Sequence, residues 1–129
     1  MISNLSPEEQ IKLFPATRYM GSKSKLLDYI WQASEPFEFD TVLDLFSGSG
    51  VVSYMYKSHG KRVISNDYMA MGAVMTKALI QNNSVILPME EAEKLIHCNG
   101  EIDTFVQDTF KGIYFSDEDN QFIDIVRSN

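Results

Sequence analysis

Cysteine is almost absent from this sequence. Cys98 stands alone, which excludes a disulfide framework and any zinc site built from cysteines. A lone cysteine reads as a small, partly buried residue in a reducing compartment. Long hydrophobic runs are missing too, and no apolar stretch approaches the roughly eighteen residues of a membrane span. The N-terminus, MISNLSPEEQ, has neither the basic start nor the apolar stretch of a secretory signal. These absences predict a cytoplasmic protein with no membrane partner. Prolines are few (Pro7, Pro15, Pro36 and Pro88), and no two are adjacent. His59 and His97 stand apart in the sequence and read as surface residues, so neither a metal site nor a nucleophile is in view.

An excess of positive charge is also lacking. Residues 1–80 hold eight Lys/Arg and eight Asp/Glu, whereas residues 81–129 hold three against ten, so the second stretch carries the whole net charge of −7. A stand-alone binder of duplex DNA presents a basic face to the phosphates. Any grip on nucleic acid therefore lies mostly elsewhere.

What is present is enough for a folded domain. Hydrophobic residues make up 44% of 129 positions, the composition of one small globular unit rather than a disordered chain. Ser6-Pro7-Glu8-Glu9 predicts a short helix that begins with a capping box and ends near Phe14-Pro15. Leu26, Leu27, Ile30 and Trp31 keep helical spacing, with Ser22 or Ser24 available as a cap and Glu35-Pro36 as the exit. Residues 41–46 read as a buried strand, 47–50 as a tight glycine turn and 51–58 as a helix closed by His59-Gly60. A second strand at 62–67 and a helix over about 70–81 follow. This βαβα order predicts an α/β fold, with parallel strands and helices on both faces. Beyond residue 84 the pattern predicts helices over 88–97 and 116–127. Between them Phe105, Phe110, Tyr114 and Phe115 read as core aromatics in an irregular stretch.

The segment Asp44-Leu45-Phe46-Ser47-Gly48-Ser49-Gly50 carries the chemical signal. Glycines between a strand and a helix allow a ligand to approach the backbone closely. Asp44 ends the first strand, and Asp67 ends the second, seventeen residues beyond Gly50. In open α/β sheets an acid at that second position meets the ribose hydroxyls of a bound nucleoside. The Phe46 ring lies either against such a nucleoside or in the core. A dinucleotide fingerprint would place a third small residue three positions after Gly50. Ser53 stands there, inside a helix that also carries Tyr54 and Tyr56. The pattern suits a nucleoside with a small charged tail better than a dinucleotide.

Arg18-Tyr19-Met20-Gly21-Ser22-Lys23 followed by Leu26-Leu27 resembles the N-terminal motif of adenine-specific DNA methyltransferases of the deoxyadenosine-methylase type. Residues 44–50 resemble their glycine motif, and Asn66-Asp67 their acidic strand end. Phe115 to Arg127 is similar to the segment before their target-recognition region. The likeness spans residues 16–127, with Ser22 standing where many relatives have a second glycine. It implies a partial Rossmann-like methyltransferase fold and S-adenosyl-L-methionine as cofactor. It implies as cofactor-binding residues Tyr19, packed on the cofactor, Lys23, at its carboxylate end, and Asp44, Phe46, Gly48, Gly50 and Asp67. It further implies that residues 1–129 form one incomplete methyltransferase domain. Residues 16–84 would be its cofactor-binding core, and residues 85–129 an acidic, mostly helical segment leading toward a missing target-recognition region.

Such enzymes hold a flipped-out adenine with an Asp-Pro-Pro-Tyr motif, and with no adjacent prolines this sequence has none. No catalytic residue is expected here, and the chain alone is expected to be inactive. Two arrangements stay open. The chain is part of a DNA-modification enzyme, as a fragment or as one subunit of a split enzyme whose second chain carries the catalytic half and with which it meets DNA. Alternatively it is a non-catalytic module that binds cofactor or a partner.

Overall fold

A computed structural model describes residues 4–17 and 19–129; Arg18, part of the N-terminal motif, lies outside them. The chain divides into two compact units, Met1–Ser84 and Val85–Asn129.

The first unit opens with α1, Pro7–Lys12. Its capping box closes in both directions: the Ser6 N–H donates to Glu9 Oε2 at 2.8 Å and the Glu9 N–H to Ser6 Oγ at 3.3 Å. A 3-10 turn, Ser24–Leu26, leads into α2, Leu27–Ser34. Strand β1 (Thr41–Asp44), α3 (Val51–Ser58) and β2 (Arg62–Ser65) then form a βαβ unit. The strands pair in parallel, from Thr41 opposite Arg62 to Asp44 opposite Ser65. Helix α4, Ala70–Thr76, continues as a π-helical turn, Lys77–Gln81. Leu27, Val51, Met55 and Tyr56 are the buried core, and Ile11, Trp31, Val42 and Val63 pack around them. The strands alternate as pleating requires: Val42, Asp44, Val63 and Ser65 are half-buried, while Leu43 and Ile64 remain 57% and 49% exposed.

Several expectations need correction. Among the described residues, the face of the sheet that carries Leu43 and Ile64 is left largely exposed, where helices were expected on both faces. A crossover helix covers a face when the next strand returns to the sheet, and among the described residues no third strand follows α4. Each strand stops two residues early, because the chain has left the strand ladder at residues 45–46 and 66–67, which shape the site. Neither Ser22 nor Ser24 caps α2, whose start is instead supported by the 3-10 turn, without a side-chain hydrogen bond. His59 is not an isolated surface group. It ends α3 with its ring stacked 3.6 Å from Trp31, and burial lowers its pKa below the ordinary value.

The second unit holds α5 (Met89–Ile96), α6 (Phe105–Phe110) and α7 (Asp117–Ser128). Ser116 caps α7 by accepting the Asp119 N–H at 3.1 Å, and three acids occupy the first turn, where the helix dipole favours them. Helix α6 falls in the stretch expected to be irregular. It has no side-chain cap of its own; Asp124 of α7 accepts the Val106 and Gln107 N–H groups at 2.9 and 2.8 Å instead. The aromatics there touch one another, Phe110 lying 6.5 Å from Phe105 and 6.0 Å from Tyr114. They are not a sealed core, since Phe105, Tyr114 and Phe115 are at least half exposed.

Candidate cofactor site

The site forms where β1 and β2 end side by side. After Asp44 the chain turns through Gly48 and Gly50, both with positive φ (53° and 80°), the backbone region glycine occupies without strain. The turn is fastened to the end of β2. The Ser47 N–H donates to the Asn66 carbonyl at 2.9 Å, and Asn66 Nδ2 returns a bond to the Leu45 carbonyl at 2.9 Å. Asp67 completes the fastening: its Oδ2 accepts the Gly48 N–H at 2.7 Å and its Oδ1 the Met69 N–H at 2.9 Å. The donors Met69 and Gly48 lower the pKa of this carboxyl, so it is ionised at neutral pH.

Tyr19, Lys23, Asp44, Phe46, Gly48 and Asp67 line one concavity of about 410 Å³, within the roughly 300–1,000 Å³ usual for small-molecule sites. Its walls combine one lysine, two carboxylates and two aromatic rings. The Tyr19 ring lies against Gly48, where a Cβ would approach Tyr19 Cε1 to 3.2 Å. Phe46 is 84% exposed, so its ring is not in the core but free to face a ligand. Lys23 sits at the 3-10 turn and donates from Nζ to the Gly21 carbonyl at 3.2 Å. A three-residue turn gives little dipole, so the attraction for an anion rests on the ammonium itself.

Gly50 stands apart from this group. It is the N-cap of α3, and a Cβ there would meet Thr76 Cγ2 at 2.9 Å. Its role in the geometry is to let α4 approach α3. Larger concavities of about 520 and 460 Å³ occur elsewhere, one in the second unit and one along β2 and α4. Neither is lined by an aromatic ring or by the glycine turn at the strand ends, and Lys94 of the first is already paired with Glu91 at 2.9 Å, so size does not select the site; chemistry does.

Three residues bear on the site that the sequence reading did not single out. Ser53 and Ser65 lie beneath Asp44. The Ser53 hydroxyl donates to Asp44 Oδ2 at 2.7 Å and accepts from Ser65 Oγ at 2.7 Å. Gly72 of α4 lies behind Asp67, where an added Cβ would come within 3.0 Å of Asp67 Cγ and of the Gly48 carbonyl oxygen.

Residues 19–129 match the family described as D12 class N6 adenine-specific DNA methyltransferase. The chain belongs to that family. All seven residues singled out from the sequence fall within the matched range. Type II methyltransferase M2.HphI of Haemophilus parahaemolyticus is 29% identical over 116 residues, 90% of this chain and 34% of that protein. Type II methyltransferase M.NlaIII of Neisseria lactamica is 30% identical over 120 residues, 84% of this chain and 36% of that protein. Type II methyltransferase M.FokI of Planomicrobium okeanokoites is 39% identical over 71 residues, 53% of this chain and 11% of that protein. The D12-class chain thus spans about a third or less of these relatives. No solved structure matches it. Membership implies a methyl-donor cofactor, and among the described residues no helix is long and apolar enough to cross a membrane.

Proposed function

We propose that this chain is the S-adenosyl-L-methionine-binding part of a methyltransferase that modifies the amino group of adenine in DNA, as part of a type II restriction-modification system. The observation that carries the reading is the convergence of Tyr19, Lys23, Asp44, Phe46 and Asp67 around the Gly48 backbone in one concavity. The carboxylate, the α-ammonium and the ribose hydroxyls of the cofactor each have a chemical counterpart there. Lys23 suits the carboxylate, Asp44 the α-ammonium, Asp67 the ribose hydroxyls, and the Tyr19 and Phe46 rings the apolar surfaces. With one lysine against two aspartates the lining carries a formal charge of −1 (1 − 2). It therefore favours the sulfonium donor, with its net positive charge, over the neutral thioether product. When bound, the cofactor supplies an activated methyl group.

The base-holding part of the reaction is not among these residues. No two prolines are adjacent, so nothing here matches the motif that clamps a flipped adenine. The acidic balance of residues 81–129 also gives the chain no basic surface for a duplex. DNA is met by the complete enzyme, whether the rest belongs to the same polypeptide or to a second chain.

Titration calorimetry tests the cofactor reading. Asp67→Ala should weaken S-adenosyl-L-methionine roughly ten- to a hundredfold, the range for lost hydrogen bonds to a charged group. Unchanged affinity would remove Asp67 from the ribose contact.

A further inference from the structure

We propose that Ser53 is a positioning residue, which together with Ser65 fixes the Asp44 carboxylate so that its other oxygen meets the ammonium of an α-amino-acid tail. The inference rests on the cofactor-binding reading and deepens it at one position. Ser53 is completely buried, at 0% exposure, and lies on α3 directly between the two strand ends. A buried hydroxyl must find partners, and a serine within a core-facing helical turn is costly without them. Here both its donor and an acceptor site are used. An ionised carboxylate only accepts, so the hydroxyl bonded to Asp44 must donate to it, which leaves a Ser53 lone pair to receive the Ser65 proton. The order Ser65 to Ser53 to Asp44 therefore has one direction. Each bond polarises the next toward the carboxylate, and a chain of this kind is stiffer than its separate bonds.

The consequence falls on Asp44. Its Oδ2 is held from within the fold at 2.7 Å, and among the described residues no bond is seen to Oδ1. Asp44 lines the same concavity as Lys23. A fixed carboxylate and a lysine on one wall set match the two charges of an α-amino acid, whereas a bare nucleoside needs neither. The serine pair thus bears on tail recognition and leaves the nucleoside contacts to Asp67 and the rings. A freely rotating Asp44 would lose part of its attraction to ordering cost.

Two thioether ligands separate the roles. S-adenosylhomocysteine carries the amino-acid tail, and 5′-methylthioadenosine is the corresponding nucleoside without it. Calorimetry on the chain, with melting curves to verify folding, should show Ser53→Ala weakening S-adenosylhomocysteine about tenfold. Methylthioadenosine binding should stay within about twofold of the parent. Asp44→Asn should show the same selectivity. Ser65→Ala should show it more weakly, and this variant stands in should Ser53→Ala fail to fold. Equal loss for both ligands, or no loss for either, in the folded serine variants would overturn the positioning role. A parent chain that binds neither ligand would overturn the cofactor reading, and this proposal with it. A parent that binds both, with unselective serine variants, would overturn the proposal alone.

Discussion

At the scale of single residues, the site depends on close approaches that only small side chains allow. Gly72 is the sharpest case, because a side chain there would run into the acid expected to hold ribose. Alanine is intrinsically better than glycine inside a helix by about 0.5–1 kcal/mol. Gly72→Ala should therefore leave the melting temperature close to the parent's, yet the new Cβ must displace Asp67 or the Gly48 carbonyl, each about 3.0 Å away. We expect at least a fivefold loss of cofactor affinity with the fold intact, read by calorimetry beside a thermal melt. Unaltered affinity would mean that Asp67 moves without consequence. The residues whose positions in the chain announce a strand-turn-helix, Asp44, Gly48 and Asp67, were legible in the sequence as a group. Ser53, Ser65 and Gly72 were not, because their importance comes from what lies across from them in space. A serine nine positions after an acid carries no signal until the helix folds back over the strand.

At the scale of elements, legibility followed local chemistry. Helix α1 with its capping box, α3 closed by Gly60, and α7 capped by Ser116 were each specified by residues within or next to the element. Helix α6 was missed for the opposite reason: its start is stabilised from a distance by Asp124, almost completely buried on α7. Burial alone would raise the Asp124 pKa, but the Gln107 and Val106 donors and Arg127 outweigh it, so its pKa lies below the ordinary carboxylate value. A carboxyl with a lowered folded pKa stabilises the fold above its unfolded pKa, near 4. It loses that contribution as pH falls through the folded value. The second unit should thus lose protection on acidification below about pH 4. Asp124→Asn should lower its stability at neutral pH and flatten that acid dependence. Amide exchange at Val106 and Gln107, followed against pH, checks this; an unchanged profile in the variant would deny Asp124 its capping role.

At the scale of the whole molecule, the βαβα order and parallel pairing were readable from hydrophobic pattern and turn residues. The coverage of the sheet was not, since a helix pattern does not say which face it will protect. The 57% exposed Leu43 and 49% exposed Ile64 are the outcome. The methyl transfer proposed for the complete enzyme needs two tasks, holding the methyl donor and holding the base. On the proposed function residues 1–129 supply the first and, with no adjacent prolines, lack the motif for the second, so binding should occur without transfer. The most direct test is equilibrium dialysis of methyl-labelled S-adenosyl-L-methionine against the purified chain with unmethylated DNA present. The account predicts label retained by the protein, displaced by S-adenosylhomocysteine, and none in adenine. A chain that retains no label, or that passes it to adenine, would contradict the account.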